Sequence, residues 1–440
     1  MLEKVEVQMK EIIEDLFKIY NSLIDSNNVI IYQTINQKYT SIDKSMLTAY
    51  LYIQGLVQMQ KNDNEAKEKI INYLVKQSIT SETGNLNLAI IEDGKQEEYK
   101  KILNNLIREK FKYRNRILRK LKVDYKILEP KLDYDNLILF FEDLADLFIM
   151  IDLYSNGNKS AYDEIQRIIT KLDSKWTSRE NFESEEIYEE IIEIITSIKE
   201  TEDLSDKEYK VSNYYNLAKV VINLRNIKRY TSSTFVVSEN VLFHSYALSV
   251  ITVAVCEYLE NQGEEINKPE AVFKALFHDF AEFTGNEIVT QIKNHNEELK
   301  TMFRKIEAND EEKLRGYIGD VLCGITTSYT TGLEGYIAET LDKLVGVMKI
   351  WIEIGYMNNY KALKLLSAVY QEKFRNLYME NERIHNLKNR TFFKSLVLNM
   401  YMYIKRNILK VDEEFLLQYF TEEEIIKYNE EIDELERKID

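Results

Sequence analysis

Two histidines and two aspartates from three separate segments are the side chains of this sequence best suited to chemistry. His278 and Asp279 end an apolar run with helical spacing, in a chain that has only 4 histidines. His244 lies 34 residues earlier (278 − 244), and Asp342 lies 64 residues later (342 − 278), each among apolar neighbours. A carboxylate in such a setting is costly to desolvate unless it is paired or binds a metal. Two imidazoles and two carboxylates suit one divalent transition metal, such as Mn²⁺, Fe²⁺, Co²⁺, Ni²⁺ or Zn²⁺.

Glu282 adds a group that can accept a proton. In a helical segment it lies one turn after His278. A bound metal polarises a phosphoryl oxygen and lowers the pKa of water, and a carboxylate placed here can take the proton of the attacking water. Structural alternatives stay open for each residue: an ion pair at the helix end for His278 and Asp279, a capped core histidine at His244, and an ion pair with a nearby lysine for Asp342.

The elements that position these residues are predicted to be helices. The chain has 440 residues with 45% hydrophobic residues, yet only 2 Pro and 13 Gly. Strands and tight hairpins need more turn residues than this, so the composition favours an all-α protein. Helical spacing covers, among other runs, 44–60, 136–153, 241–260, 269–281, 296–306, 310–328, 334–354, 359–378 and 390–408. The polar stretch 201–208 is typical of a linker, so we expect a helical domain over 1–200, a second over 209–408, and an acidic helical tail over 411–440.

The charge balance limits the partners of the protein. A net charge of −16 disfavours nucleic acid as a general partner. The basic segment Arg108–Lys122 is interpreted as an amphipathic helix with a solvated face, and a nucleic-acid or anionic-ligand contact is the alternative. The 2 cysteines provide no disulfide framework. We find no signal peptide and no apolar run of the roughly 18 residues that a membrane helix needs. These features predict a cytoplasmic protein without a membrane partner.

A weak internal repeat relates the two halves of the sequence. A shift of 201 residues places Thr83–Asn85 on the identical tripeptide Thr284–Asn286. The N-terminal half is therefore interpreted as a possible degenerate copy of the C-terminal half. It would hold no metal, because neutral amides and hydroxyls bind divalent cations poorly. In this register the residues Asp43, Gln77, Ser78 and Ser81 replace His244, His278, Asp279 and Glu282.

The order of the C-terminal motifs resembles that of HD-domain metal-dependent phosphohydrolases. The flanking residues resemble the branch that contains the bacterial 5′-deoxynucleotidases, and the likeness covers roughly residues 212–378. The matching motifs, in chain order, are Arg229-Tyr230, Glu239-Asn240-Val241 with His244-Ser245, His278-Asp279 with Glu282, Thr284-Gly285-Asn286, Ile292-Lys293, and Leu341-Asp342-Lys343-Leu344.

The resemblance implies an HD-domain helical fold for the C-terminal half and a role for each matched residue. His244, His278, Asp279 and Asp342 would hold the metal, and Glu282 would orient or deprotonate the attacking water. The reaction would be hydrolysis of a nucleotide phosphate, most simply the 5′-phosphate of a nucleoside or deoxynucleoside monophosphate. Related enzymes pair through helical faces, so we expect either a homo-oligomer or a monomer with an internal pseudo-dimer. The residues expected to bind substrate are Arg229, Tyr230, Thr284, Asn286 and Lys293.

Three departures from the family pattern bear on activity. Phe243 stands where the family often has Glu, which removes a carboxylate beside His244. Asn286 replaces an Asp and Tyr230 replaces a Trp, so an acceptor becomes a neutral amide and an aromatic face gains a hydroxyl. The alternative to an enzyme is therefore a catalytically weakened nucleotide sensor or a subunit of a larger assembly. A purely structural scaffold is the third hypothesis, and it gives no reason for four ligands in order.

Overall fold

A computed structural model describes residues 13–80, 132–230, 235–284 and 297–362, apart from short gaps, and isolated positions after 416. The described chain is almost entirely helical, which confirms the predicted all-α class. Several predicted features lie outside the described residues: the basic segment Arg108–Lys122, the helices expected at 359–378 and 390–408, and nearly all of the acidic tail.

The N-terminal half begins with a helix over residues 16–24 and a short antiparallel hairpin. The composition of the chain did not predict this hairpin. A pair of strands this short needs few turn residues, so it can form in a chain that is poor in Gly and Pro. Residues 201–210, which include the predicted linker, contain no helix or strand and lead into the C-terminal half. The elements of the N-terminal half are β1 Ile30–Gln33, β2 Lys38–Thr40, α1 Ser41–Gln58, α2 Asn64–Thr80, α3 Leu132–Ser155, α4 Ala161–Trp176 and α5 Glu185–Glu200.

In its described residues the C-terminal half contains five further helices and a short turn of 3₁₀ helix that follows His278 and Asp279. The fourth of these helices is interrupted at Gly319, whose φ of 79° is non-helical. The sequence predicted two helices, over 296–306 and 310–328, so the interruption lies later in the chain than predicted. The elements are α6 Val211–Asn226, α7 Val241–Asn261, α8 Lys268–Phe277, the 3₁₀ turn Phe280–Thr284, α9 Glu297–Thr327 and α10 Gly332–Gly355.

Local capping fixes where the key helices begin. The side chain of Thr40 accepts a hydrogen bond from the Asp43 N–H, and the Asp43 carboxylate accepts one from the Thr40 N–H, so α1 starts with a reciprocal capping box. Asn240 accepts from the Phe243 N–H at 2.7 Å and caps α7. Asn267 caps α8 in the same way. These caps set the registers of α7 and α8, and therefore the positions of the two site histidines.

Helix α7 is the central helix of the C-terminal half. Among the described residues it is the one helix long and apolar enough to cross a membrane by length and composition. The expectation that no segment meets this criterion is wrong, because small polar residues such as Ser249 and Thr252 barely lower the apolar character of the run. Its most apolar stretch is 94% buried inside the protein, as is typical of a core helix.

The two halves pack against each other through one continuous apolar core. Two buried tyrosines join the halves reciprocally. The Tyr50 hydroxyl on α1 donates to the carbonyl of Leu276 on α8 at 2.7 Å. The Tyr246 hydroxyl on α7 donates to the carbonyl of Leu74 on α2 at 3.0 Å. In each pair, a tyrosine from one half thus donates a hydrogen bond to a backbone carbonyl of the other half.

The helices of the two halves also follow each other in similar order and spacing. A shift of 201 residues carries α1 onto α7 and places α2 over α8. A shift of 200 carries Leu132–Ser155 onto Gly332–Gly355, the bounds of α3 and α10. This correspondence supports the predicted relation between the halves, which stays a proposal.

Candidate metal centre

His244 lies in the first turn of α7 and is completely buried. Its ring Nδ1 is 3.1 Å from Oε1 of Glu239, a carboxylate that precedes the helix and is itself buried. This contact assigns the proton to Nδ1, because a carboxylate accepts hydrogen bonds. The Nε2 of His244 points toward the other predicted ligands.

His278 is the residue at the C-terminal end of α8. Like the ring of His244, its ring has a partner on Nδ1 and directs Nε2 toward the cluster. Its Nδ1 lies 2.8 Å from the carbonyl oxygen of Ala275, which assigns the ring proton to Nδ1. Its Nε2 is buried and has no hydrogen-bond partner, although Asp279 Oδ2 lies 2.9 Å away. The two imidazole centroids are 5.2 Å apart. Two inward-facing Nε2 atoms, each held by a partner on Nδ1, are the arrangement that metal-binding histidines adopt.

Asp342 enters the cluster from α10. Its Oδ1 lies 2.9 Å from Nε2 of His244 and 3.8 Å from Nε2 of His278. Lys343 forms an ion pair with the other carboxylate oxygen. The structure therefore brings all four predicted ligands together. Within this group, ligand atoms of His244, His278 and Asp279 lie within 4.8 Å of one another.

The donor set fits a divalent cation. The Nε2 of His244 and the Oδ1 of Asp342 are 2.9 Å apart, so either a second ring proton or a bound cation must separate their lone pairs. The buried Nε2 of His278 has no hydrogen-bond partner, which is costly because its desolvation is not compensated. One divalent transition metal would satisfy both atoms, and mixed nitrogen and oxygen ligands are what such metals take.

The electrostatics of the cluster keep both carboxylates ionised. Burial raises the pKa of Asp279, but the neighbouring His278 and Arg229 more than offset this and hold the pKa below its ordinary value. Burial also opposes ionisation of Asp342, and Lys343 and His244 lower its pKa well below the ordinary range. Ionised carboxylates are the form that binds a metal.

Arg229 bridges the cluster from the segment after α6. Its Nη1 donates to Asp279 Oδ2 at 2.7 Å, and its Nε lies 3.8 Å from Glu239 Oε1. The predicted phosphate-binding guanidinium thus lies against the predicted metal ligands. Tyr230 follows with a left-handed φ of 59°, and its ring packs 4.8 Å from that of Phe235.

The remaining predicted residues differ in how far the structure describes them. Glu282 lies in the 3₁₀ turn Phe280–Thr284, and its N–H donates to the carbonyl of Asp279 at 3.0 Å. The chain at this point is a tight turn, so the expected α-helical spacing from His278 to Glu282 is wrong. The backbone of Thr284 closes this turn. Asn286 and Lys293 lie outside the described residues.

Sequence reasoning missed the outer part of the site. The matched motif included Glu239, but we assigned this residue no role. The substitution of Phe243 for Glu led us to expect no carboxylate beside His244, whereas Glu239 places one there. Phe243 itself is buried in the core. Tyr329, in the turn before α10, places its ring 6.2 Å from that of His278. The position of Glu239 just before the helix that carries His244 is a signal that was available, whereas nothing local marks Tyr329.

Comparison with known proteins identifies the C-terminal half. The family described as 5′-deoxynucleotidase YfbR-like matches residues 216–381. We call this segment, which is less than half of the chain, the HD domain, after the HD-domain phosphohydrolases that it resembles. A 5′-deoxynucleotidase of Vibrio vulnificus is 26% identical over 147 residues, which are 32% of this chain and 75% of that protein. A 4′-phosphooxetanocin A phosphatase of Priestia megaterium is 24% identical over 188 residues, 39% of this chain and 95% of that protein.

The HD domain contains all four clustered ligands, and the family match begins within α6. The N-terminal half, with α1 to α5, lies outside the match. HD-domain phosphohydrolases in general depend on a divalent metal, and the cluster in this HD domain has the ligand types for one. The extra half is thus what distinguishes this chain from the relatives it matches.

Proposed function

We propose that this protein is a divalent-metal-dependent phosphohydrolase that removes the 5′-phosphate of a nucleoside or deoxynucleoside monophosphate in the cytoplasm. The observation that carries the proposal is the convergence of His244, His278, Asp279 and Asp342, with the Nε2 of His278 buried and lacking a hydrogen-bond partner. The relatives support this class of activity, because one is named as a 5′-deoxynucleotidase and the other as a 4′-phosphooxetanocin A phosphatase.

In this proposal His244, His278, Asp279 and Asp342 hold the metal, which when bound would polarise the phosphate and lower the pKa of water. Glu239 and the Ala275 carbonyl fix the tautomers of the two histidines, so that both Nε2 atoms face the metal position. Glu282, at the edge of the cluster, accepts the proton of the attacking water.

The positive side chains of the site stabilise the transferring phosphoryl group. Arg229 is held beside Asp279, and binding of a metal there would free part of its guanidinium for a phosphate oxygen. Lys343 pairs with Asp342 in the same way. Tyr230, Thr284, Asn286 and Lys293 stay proposed substrate contacts on the strength of the motif.

The same ion pairs favour a second candidate, a nucleotide-binding protein without turnover. Arg229 already compensates Asp279, and Lys343 already compensates Asp342. If these cations stay paired with the carboxylates after a metal binds, they would contribute little to stabilising the transferring phosphoryl group, and the site would bind a nucleotide without hydrolysing it. Such a protein would serve as a sensor or as a subunit of an assembly.

Two measurements on the full chain separate these functions. Metal content after purification without chelator should show about one divalent transition metal per chain, lost in Asp279→Asn. The matched control is Asp146→Asn, because Asp146 has a similar exposure and pairs with Lys44 at the same 2.7 Å distance. Absence of metal in the wild-type protein would contradict the proposal.

The second measurement is phosphate release from a panel of nucleoside monophosphates and triphosphates. Release of phosphate from monophosphates, abolished by Asp279→Asn and retained by Asp146→Asn, supports the enzyme. Nucleotide binding with bound metal and no release supports the sensor.

We further propose that the N-terminal half is a metal-free relative of the HD domain. Gln77, which a shift of 201 places on His278, donates to Glu142, which a shift of 200 places on Asp342, at 3.5 Å. Tyr73 also donates to Glu142 at 2.8 Å. Asp43, in the position of His244, caps α1 and pairs with Arg225. Hydrogen bonds thus occupy the positions that the metal ligands take in the HD domain.

A further inference from the structure

We propose that Tyr20 in the N-terminal half is a positioning residue for the metal centre and acts on His244 through Glu239. The proposal rests on the proposed metal-dependent function. It assigns the N-terminal half a direct part in the site, beyond the family match.

The connection consists of two consecutive hydrogen bonds. The Tyr20 hydroxyl donates to Oε2 of Glu239 at 2.9 Å, and Oε1 of the same carboxylate lies 3.1 Å from Nδ1 of His244. Tyr20 and His244 are fully buried, and Glu239 is 2% exposed. One carboxylate therefore uses its two oxygens for two different halves of the chain.

Burial makes the rotamer of Glu239 depend on such partners. A buried carboxylate needs hydrogen bonds on both oxygens to offset its desolvation. Arg229 lies 3.8 Å from Oε1, on the side that faces the cluster. Tyr20 holds the opposite oxygen, so it resists rotation of the carboxylate toward Arg229. A carboxylate held in this way keeps the proton of His244 on Nδ1 and its Nε2 directed at the ligands.

A second contact shows that the N-terminal half also holds the other histidine-bearing segment. Tyr50 donates to the carbonyl of Leu276 at 2.7 Å. This carbonyl lies in the last turn of α8, where carbonyls have no partner within the helix. The Tyr50 ring packs against those of Phe277 and Phe280, at centroid distances of 5.2 and 4.8 Å. The residues on both sides of His278 and Asp279 are thus fixed from the N-terminal half.

The test measures Mn²⁺ affinity of the metal-stripped full-length protein by titration calorimetry. Loss of an outer hydrogen bond to a metal ligand typically weakens binding about 10- to 100-fold, so we expect roughly that loss for Glu239→Gln. For Tyr20→Phe, one bond further out, we expect roughly a three- to tenfold loss. The absorption spectrum of the Co²⁺ form should shift in both variants, because the orientation of His244 changes.

The matched control is Tyr214→Phe. Tyr214 is also fully buried and donates to a buried carboxylate, that of Glu190, but neither residue contacts the cluster. This variant should lose similar stability in thermal unfolding and keep wild-type Mn²⁺ affinity and Co²⁺ spectrum. The double variant Tyr20→Phe with Glu239→Gln should bind no more weakly than Glu239→Gln alone, because the two residues act through one path.

The outcomes separate the two proposals. If the wild-type protein binds Mn²⁺ and Tyr20→Phe matches Tyr214→Phe in affinity and spectrum, the role of Tyr20 is overturned while the metal centre stands. Additive losses in the double variant would likewise overturn a path through Glu239. If the wild-type protein binds neither Mn²⁺ nor Co²⁺, the proposed function fails, and the positioning role fails with it.

Discussion

Glu282 is the residue of the site to which we assign the proton transfer of the proposed reaction. It lies half-buried in the 3₁₀ turn, three residues after Asp279. Its N–H donates to the carbonyl of Asp279, so the turn starts directly at one of the predicted ligands. This placement suits a group that exchanges protons with solvent and does not bind the metal itself.

We predict that Glu282→Gln keeps the metal and loses turnover by about a hundredfold or more, the usual scale for a lost general base. The amide preserves size and removes only the basic oxygen. Metal content and the phosphate-release rate of the same preparation provide the comparison. Turnover close to the wild-type rate would show that another group takes the proton.

The sequence predicted that four side chains would converge, and it revealed less about the groups around them. The pattern of His244, His278, Asp279 and Asp342 indicated a shared site because these residue types rarely occur in apolar helices without a charge partner. The position of Glu239 just before α7 was an available signal, whereas Tyr20 could not be predicted, since its bond to Glu239 joins positions 219 residues apart and depends on how the halves pack.

At the scale of elements, the segment before α7 is fixed by the end of α10. The Glu353 carboxylate, fully buried, accepts hydrogen bonds from the N–H groups of Val236 and Val237, both at 2.8 Å. Lys349, one turn earlier, lies 3.3 Å from Glu353 and donates to the Val237 carbonyl. This clamp holds the connection between Arg229 and His244.

We predict that Glu353→Ala lowers the free energy of unfolding by about 3–5 kcal/mol, because Lys349 is left buried without its charge partner. Chemical denaturation monitored by circular dichroism measures the loss. The control is Glu185→Ala, whose exposed pair with Arg179 should contribute less than about 1 kcal/mol. Equal effects of the two substitutions would argue against a clamp.

A second element contact makes stability depend on pH. Asp143 on α3 accepts hydrogen bonds from Lys171 at 2.7 Å and from the Trp176 indole at 2.9 Å, both on α4. Burial raises the pKa of Asp143, but these partners outweigh it and lower the pKa below its ordinary value. A carboxyl group with a lowered folded-state pKa stabilises the fold above its unfolded-state pKa, and that contribution is lost as pH falls through the folded-state pKa.

We therefore predict that Asp143→Asn costs about 1 kcal/mol of unfolding free energy at pH 7, a value reduced because Lys171 is 44% exposed. The difference from wild type should begin to shrink as the pH falls below about 4, the ordinary pKa of Asp, and disappear below the lowered folded-state pKa. Denaturation series from pH 7 to pH 3 measure it. The control is Asp173→Asn. Asp173 lies on α4 and forms an exposed ion pair with Lys199, so the stability of this variant relative to wild type should depend very little on pH.

At the scale of the whole molecule, the two halves share one core although the sequence predicts separate domains. Phe17, in the helix at 16–24, places its ring 6.2 Å from that of Trp351 on α10. Helical spacing predicted the helices because apolar periodicity is a local property. Local patterns do not determine which amphipathic faces pack together. The packing of the two halves and the reciprocal tyrosine hydrogen bonds could therefore be seen only in the structure.

We predict that the halves unfold together. The chain has 2 tryptophans, Trp176 in the N-terminal half and Trp351 in the C-terminal half. In Trp176→Phe and in Trp351→Phe, the remaining tryptophan reports on its own half. In each variant, urea transitions followed by fluorescence and by circular dichroism should coincide, as expected for one cooperative unit. Separated transitions in either variant would show that the halves are independent.

The paired bonds from Tyr50 to Leu276 and from Tyr246 to Leu74 join regions of a single polypeptide. Where such contacts form between separate molecules, dilution breaks them by mass action. Here the peptide chain keeps both sides at a fixed effective concentration. The rate per molecule should therefore be the same at nanomolar and at micromolar protein, and a cell could keep very few copies without losing the site that both halves build.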